Sequence, residues 1–294
     1  MKKYIKTDSG YYTLKKMPSD IELKEYYEKK YYQDANGAYE KDYTEEEIIF
    51  FNNKLKEKEC IINRYFKNDS PKSIIDVGCG EGWAINYFKK LGWEIIGVDF
   101  SDFGIKTFNP QYSDCVLKGD VMENIDLLTS EGKKYDIILL DHVFEHVTDP
   151  IELVGKIKRI INKDGLLIIN VPNDFSMLQN YLTQTGKVDK EYWFAPPDHI
   201  SYFTRESLSN LLNTLNFEEF TSIGDHPIDI NLLNSNSNYV INKKVGKSCY
   251  FQKIEIENLL HKERPISKIV NYYESLTDVG LGRSFSSFFS IKNQ

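Results

Sequence analysis

Residues 74–82 read Ile-Ile-Asp-Val-Gly-Cys-Gly-Glu-Gly. A short apolar run carries Asp76, three glycines follow at Gly78, Gly80 and Gly82, and an amphipathic stretch begins at Trp83 and runs to Leu91. That order predicts a strand, a tight turn and a helix. Glycine suits a turn that needs positive φ or a ligand pressed against backbone with no Cβ between. The first turn of a helix also offers unpaired N–H groups to an electron-rich ligand. A nucleoside-like ligand over this turn is therefore expected.

The spacing narrows the ligand. A dinucleotide fingerprint reads Gly-x-Gly-x-x-Gly, whereas here it is Gly-x-Gly-x-Gly with Trp83 next. Asp76, just before the turn, is placed to receive an ammonium group. The motif resembles the first motif of class I S-adenosylmethionine-dependent methyltransferases, in the branch that includes ubiquinone-pathway and sugar-modifying O-methyltransferases. The resemblance covers about residues 70–223. Glu94 to Val98 reads as a second strand ending at Asp99, 23 residues after Asp76. A carboxylate there can accept both ribose hydroxyls, and Phe100 beside it would cover adenine. A third strand, 114–118, leads to Gly119-Asp120-Val121, where the resemblance assigns Asp120 to the adenine amine and sets Val121 beside it. It likewise implies that Gly78, Cys79 and Gly80 form the turn against the cofactor, with Cys79 a small filler, and that Asp141 lies by its methionine end. Strands at 135–140 and 165–171 follow, the latter ending in Pro172-Asn173. Lys163-Asp164-Gly165 departs from the Gly pair usual in the family.

The fold expected is α/β: a seven-stranded Rossmann-like methyltransferase sheet with helices on both faces, a helical N-terminal extension and an insertion before the last strand. Residues 1–70 hold half of the 20 tyrosines and read as a helical extension or lid. Helices are expected from Ser19, after Pro18, and from Thr44 to Phe66, each with a capping-box start. Residues 71–224 read as the cofactor core. Residues 225–294 read as an insertion with helices near 252–261 and 266–276, plus a final antiparallel strand at 285–291, shaping an acceptor pocket or a homodimer contact.

Composition limits the partners. The chain has 294 residues, 41% of them hydrophobic and a net charge of −7, so a sizeable core is possible and a basic nucleic-acid face is not expected. No apolar run approaches the ~20 residues that span a bilayer. Met1-Lys2-Lys3-Tyr4 is followed by no signal-peptide-like apolar segment, so a cytoplasmic location is expected. Cys60, Cys79, Cys115 and Cys249 make no Cys-x-x-Cys motif, which argues against zinc and redox sites of that kind.

Methyl transfer to a hydroxyl needs a base titrating near neutral pH, which favours histidine. His199, in Pro196-Pro197-Asp198-His199-Ile200-Ser201-Tyr202-Phe203, is the first candidate because its loop lies beyond the fifth strand. His146, beside Glu145, is the second. His142 reads as cavity wall, His226 as a pocket residue and His261 as a surface residue. Arg205 and Arg283 could bind an anionic acceptor. Asp141, Asn173 and Asp174 could suit Mg2+, but Pro-Asn is common in metal-independent relatives, and no metal is expected. The expected acceptor is a small polar molecule such as a sugar, a nucleotide-linked sugar or a surface-polysaccharide precursor. Two rivals are an NAD-binding oxidoreductase on a similar sheet and a non-catalytic binding module.

Overall fold

The computed structural model describes residues 3–18 and 42–292. The helix expected from Ser19, with Tyr26, Tyr27, Tyr31 and Tyr32, lies outside the described residues.

Short apolar runs become strands buried on both faces, as parallel sheets require. β3 (Ser73–Val77), β4 (Glu94–Asp99), β5 (Val116–Lys118), β6 (Tyr135–Asp141) and β7 (Ile161–Pro172) are parallel, in the order β5-β4-β3-β6-β7. β10 (Ser284–Ile291) then pairs antiparallel with both β7 and β9 (Phe217–Gly224), completing a seven-stranded sheet. Strand alternation sends Ile75, Val77, Ile138, Leu140, Leu167 and Ile169 to one face. There they pack on α4 (Val121–Ser130), α5 (Pro150–Ile160) and α7 (Arg205–Thr214). Ile74, Ile95, Ile137, Leu139, Ile168 and Phe288 face α1 (Glu45–Phe66), α2 (Trp83–Lys90) and α9 (Ile266–Asp278). The seven-stranded α/β fold expected from sequence is thus present, final strand included.

Local signals set several boundaries. Thr44 caps α1: its hydroxyl accepts from the Glu47 N–H, and the Glu47 carboxylate accepts from the Thr44 N–H. Asp120 caps α4 through one carboxylate oxygen, which accepts from the Met122 and Glu123 N–H groups. α3 (Phe103–Phe108) follows β4 directly.

Two parts differ from expectation. The start of the N-terminal extension is not helical. β1 (Tyr4–Lys6) and β2 (Tyr12–Leu14) form a hairpin that pairs with β8 (Ser201–Tyr202), beside the His199 loop. These strands are too short, and their partner too distant in sequence, for periodicity to reveal them. The stretch between β9 and β10 also serves the core, since α9 covers the sheet while α8 (Gly246–Glu263) packs on α1. α6 (Met177–Gln184) lies between β7 and the His199 loop. Among the described residues no helix is long and apolar enough to cross a membrane.

Phe288 sits in the middle of β10, fully buried opposite Ile168. Phe288→Ala should lower unfolding stability by about 3–5 kcal/mol, read from the denaturant midpoint. A change below about 1 kcal/mol would mean that β10 is not a core strand.

Candidate active site

Strand order reverses direction between β3 and β6, and open α/β sheets form their ligand crevice at such a point, outside the strand carboxyl ends. A cavity of about 410 Å3 opens there. One wall is the glycine turn with Asp76; Asp141, His142 and Asn170 form the floor; Phe50, Lys54 and Lys58 of α1 face them.

The glycines are required by geometry. Gly78 has φ of +74°, and a Cβ on it would lie 2.3 Å from Val143 Cγ2. The Gly80 N–H donates to Asp99 Oδ2 at 2.8 Å, and the Ser101 N–H donates to Asp99 Oδ1 at 2.9 Å. Asp99 therefore joins the turn to the end of β4. Cys79 is buried, its thiol held well above the ordinary range by burial and by Asp76, and it fills space under the turn. Tyr43 donates its hydroxyl to Glu81 at 2.6 Å and packs on Phe51, Trp83 and Phe108.

Electrostatics differ between the two acids of the floor. Asp76 is buried, and burial together with the charges of Asp141 and Asp99 pushes its carboxyl up to about 8. For Asp141 burial works against ionisation, but Lys58, His142 and Asn170 hold the carboxyl down at about 2. Lys58 Nζ lies 3.0 Å from Asp141 Oδ2, and Asn170 Nδ2 donates to Oδ1 at 2.5 Å. The cleft thus presents an ion pair beside a carboxyl whose value burial and neighbouring charge raise.

His142 is the one histidine among the described residues lining the cavity. Its Nδ1 is 3.0 Å from Glu145 Oε1, and Glu145 is buried. Desolvation in the cleft, where the ring is still 49% exposed, lowers the imidazole pKa, but the Glu145 hydrogen bond and the charges of Glu145 and Asp141 outweigh it and raise the value above the usual one. His146 and His199 stand behind Glu145, with ring centroids 5.0 Å apart. Burial pushes His199 down to about 4, against the pull of Glu145.

Of the residues singled out in the sequence, Asp76, Gly78, Gly80 and Asp141 meet in the cavity, with Asp99 and Cys79 supporting the turn. Phe100 is exposed at the end of β4; Asp120 is exposed and caps α4, followed by Val121. None of these three lines the cavity. The Asn173 amide donates to the carbonyls of Gly280 and Gly282, Asp141 is paired with Lys58, and Asp174 with Arg283. Arg205 is an internal tie to Glu219 and Asp278, and Arg283 is bound to Asp174. His226 is half-buried outside the cavity lining. The surface placement expected for His261 is corrected: its side chain is 4% exposed and Nε2 lies 2.8 Å from Glu57 Oε1. Docking of α8 on α1 buries it.

Lys54, Lys58 and Lys253 were not anticipated, since lysines normally read as solvated. Lys54 bridges Glu57 and Glu257, and Lys253 pairs with Asp225, on the cavity's far wall. The only available signal was helical register: Phe50, Lys54 and Lys58 recur every four residues on one face of α1.

Comparisons with known proteins agree with this architecture. A family model described as a methyltransferase domain matches residues 54–221. A ubiquinone biosynthesis O-methyltransferase of Ruegeria sp. is 26% identical over 38% of this chain and 47% of its own length. A probable S-adenosylmethionine-dependent methyltransferase of Mycolicibacterium smegmatis is 20% identical over 58% of this chain and 61% of its own. The chain thus spans about half the length of the curated relatives it matches. Among solved structures, the plantazolicin methyltransferase BamL, crystallised with a triazolic desmethylPZN analog and SAH, shares the fold at a TM-score of 0.51. That likeness covers 84% of this chain and 86% of BamL at 18% identity.

The Lys58–Asp141 pair is testable without a ligand. Lys58→Met removes the cation while His142 and Asn170 still lower the value, so the Asp141 carboxyl should rise from about 2. Carbon-13 NMR titration reads this directly, and an unmoved carboxyl would show that Lys58 does not hold it.

Proposed function

The chain belongs to the methyltransferase-domain family, and from this premise we propose that it is a class I S-adenosylmethionine-dependent enzyme that methylates a hydroxyl of a small, polyhydroxylated acceptor of the sugar type, with His142 as general base. One observation carries the proposal: the cavity that holds the glycine turn, Asp76 and Asp141 is also lined by a histidine backed by a buried carboxylate.

The residues present fit the cofactor. Gly78 and Gly80 leave room over the turn, Asp76 offers a buried carboxyl to an ammonium, Lys58 offers a cation to a carboxylate, and Asp99 stands by the turn for the ribose. Phe100, Asp120 and Val121 take the adenine end at the rim. When bound, S-adenosylmethionine supplies an activated methyl group on a sulfonium centre. The chain's task is then mostly alignment, which can lower a barrier by several kcal/mol. With Nδ1–H directed at Glu145, His142 presents Nε2 to the acceptor hydroxyl and takes its proton. Glu145 and Asp141 favour the resulting imidazolium. His146 and His199, expected as bases from sequence, take supporting roles behind Glu145. Oxygen as the acceptor atom is supported by the O-methyltransferase names among the relatives. A polyhydroxylated acceptor is supported by Lys54, Lys253, Asp225, Ser284 and Ser286 on the far wall.

Two outcomes are expected. His142→Gln should cut turnover by roughly 10²–10⁴-fold with affinity for S-adenosylhomocysteine within a few-fold of the parent. Turnover is followed by methyl-labelled S-adenosylmethionine supplied with the small-molecule pool of the host, and retained labelling would remove His142 as base. At pH 6.5 the Asp76 carboxyl, at about 8 in the empty cleft, is protonated. Pairing with the ligand ammonium pulls that value down, so binding S-adenosylhomocysteine should release close to one proton. Calorimetry in two buffers of different ionisation enthalpy measures this; zero release would contradict the pairing.

A further inference from the structure

Three parts of the chain meet on one residue of the glycine turn. Glu81 lies between Gly80 and Gly82, whose φ values are +50° and +75°. Glycine on either side leaves a segment many accessible conformations, so the residue between must be fixed by something else. Glu81 is 8% exposed, and a carboxylate at that depth is costly unless its oxygens find donors. The Tyr43 hydroxyl donates to Oε1 at 2.6 Å, and the Trp83 indole N–H donates to Oε2 at 2.5 Å. The Glu81 carbonyl accepts from Asn109 Nδ2 at 2.8 Å, and Asn109 is buried directly after α3. Glu81 borders the cavity, whereas Tyr43 lies outside its lining. We propose, on the reading that this turn holds S-adenosylmethionine, that Tyr43 is a positioning residue: it acts through Glu81 and holds the turn in the shape that receives the cofactor.

Tyr43 is itself fixed in place. It directly precedes Thr44, which caps α1 through reciprocal bonds with Glu47. Its ring packs on Phe51 of α1, Trp83 of α2 and Phe108 of α3, with centroids 5.1, 5.8 and 5.1 Å away. The hydroxyl therefore reaches Glu81 from a rigid frame made by three helices.

α3 closes on the same turn. A Cβ on Gly104 would lie 2.8 Å from the Gly80 carbonyl oxygen, and one on Gly82 would lie 2.8 Å from Ile105 Cδ1. The turn is thus held by packing too close for a side chain and by a bond from the start of α1 that the loss of one atom removes. Without that atom a buried carboxylate oxygen lacks its donor. Glu81 then shifts to regain a partner, and the glycines beside it offer little resistance. Order that the folded chain supplies before binding is not charged to the ligand, so such a brace raises affinity.

A matched bond provides the control. Tyr87 of α2 donates to Glu59 Oε2 of α1 at 2.6 Å, and neither residue lines the cavity. It is a second tyrosine–glutamate bond to α1, but one that does not touch the turn.

Binding of S-adenosylhomocysteine to the full chain is measured by calorimetry. Tyr43→Phe keeps the ring, removes only the hydroxyl, and should weaken binding at least about tenfold. Tyr87→Phe should bind as the parent does. Glu81→Ala should weaken binding to a similar degree as Tyr43→Phe. Adding Tyr43→Phe to it should change the affinity by less than about twofold, because the two residues act as one unit. Amide hydrogen exchange reads the turn with no ligand present. The Gly82 N–H donates to the Cys79 carbonyl at 2.9 Å, and it should exchange several-fold faster in Tyr43→Phe than in the parent. That rate decides if Glu81→Ala fails to fold. Affinity of Tyr43→Phe within about twofold of the parent, an equal loss in Tyr87→Phe, additive losses in the double variant, or unchanged Gly82 exchange would each overturn the proposal. A parent protein that binds no S-adenosylhomocysteine would defeat the cofactor reading itself, whereas a parent and a Tyr43→Phe variant that bind equally well defeat this proposal alone.

Discussion

The crevice between β3 and β6 is the constraint on which the rest depends. Crossovers leave these adjacent strands toward opposite edges of the sheet, so no connection covers their carboxyl ends. Backbone groups that would otherwise pair are then supplied locally. Gly78 and Cys79 donate their N–H groups to the Val98 carbonyl, and Asp99 returns both carboxylate oxygens to the turn and the following loop. The glycine turn is therefore rigid before any ligand arrives, and its shape does not depend on ordering the rim.

Charge is handled by distance from this turn. Beside it, Asp76 stays neutral because burial and two neighbouring carboxylates outweigh Lys58. One strand over, Asp141 is ionised against Lys58. Farther out, Lys54, Glu57, Glu257, Lys253, Asp225 and His261 form a buried ionic layer joining α1 to α8. Removing one member of such a layer leaves its partner unpaired and costs more than the pair contributes. The layer thus fixes how the N-terminal helix sits over the cleft, and through Lys58 it bears on the acids of the floor.

Much of this was legible in sequence because it is local. Apolar runs at 74–77, 135–140 and 165–171 become buried strands, Thr44 and Glu47 mark a helix start, and the glycines at 78, 80 and 82 mark the turn. What stayed hidden is set by distant contacts. The β1–β2 hairpin exists through a partner nearly two hundred residues away. Lys58 and His261 are residue types that read as solvated; Lys58 is buried against Asp141 at the end of β6, and His261 by the packing of α8 on α1. His142 reads as wall from sequence alone, since nothing in the order of residues shows that Glu145, three positions on, turns back to hold its ring.

The central claim is that the glycine turn and the acids beside it hold S-adenosylmethionine. The most direct measurement is a titration of nitrogen-15-labelled protein with S-adenosylhomocysteine, followed amide by amide. The account predicts saturable shifts centred on Gly78, Gly80, Gly82 and Ser101, with smaller ones at Asp141 and His142. Shifts confined to another face of the sheet, or no saturable change, would contradict it.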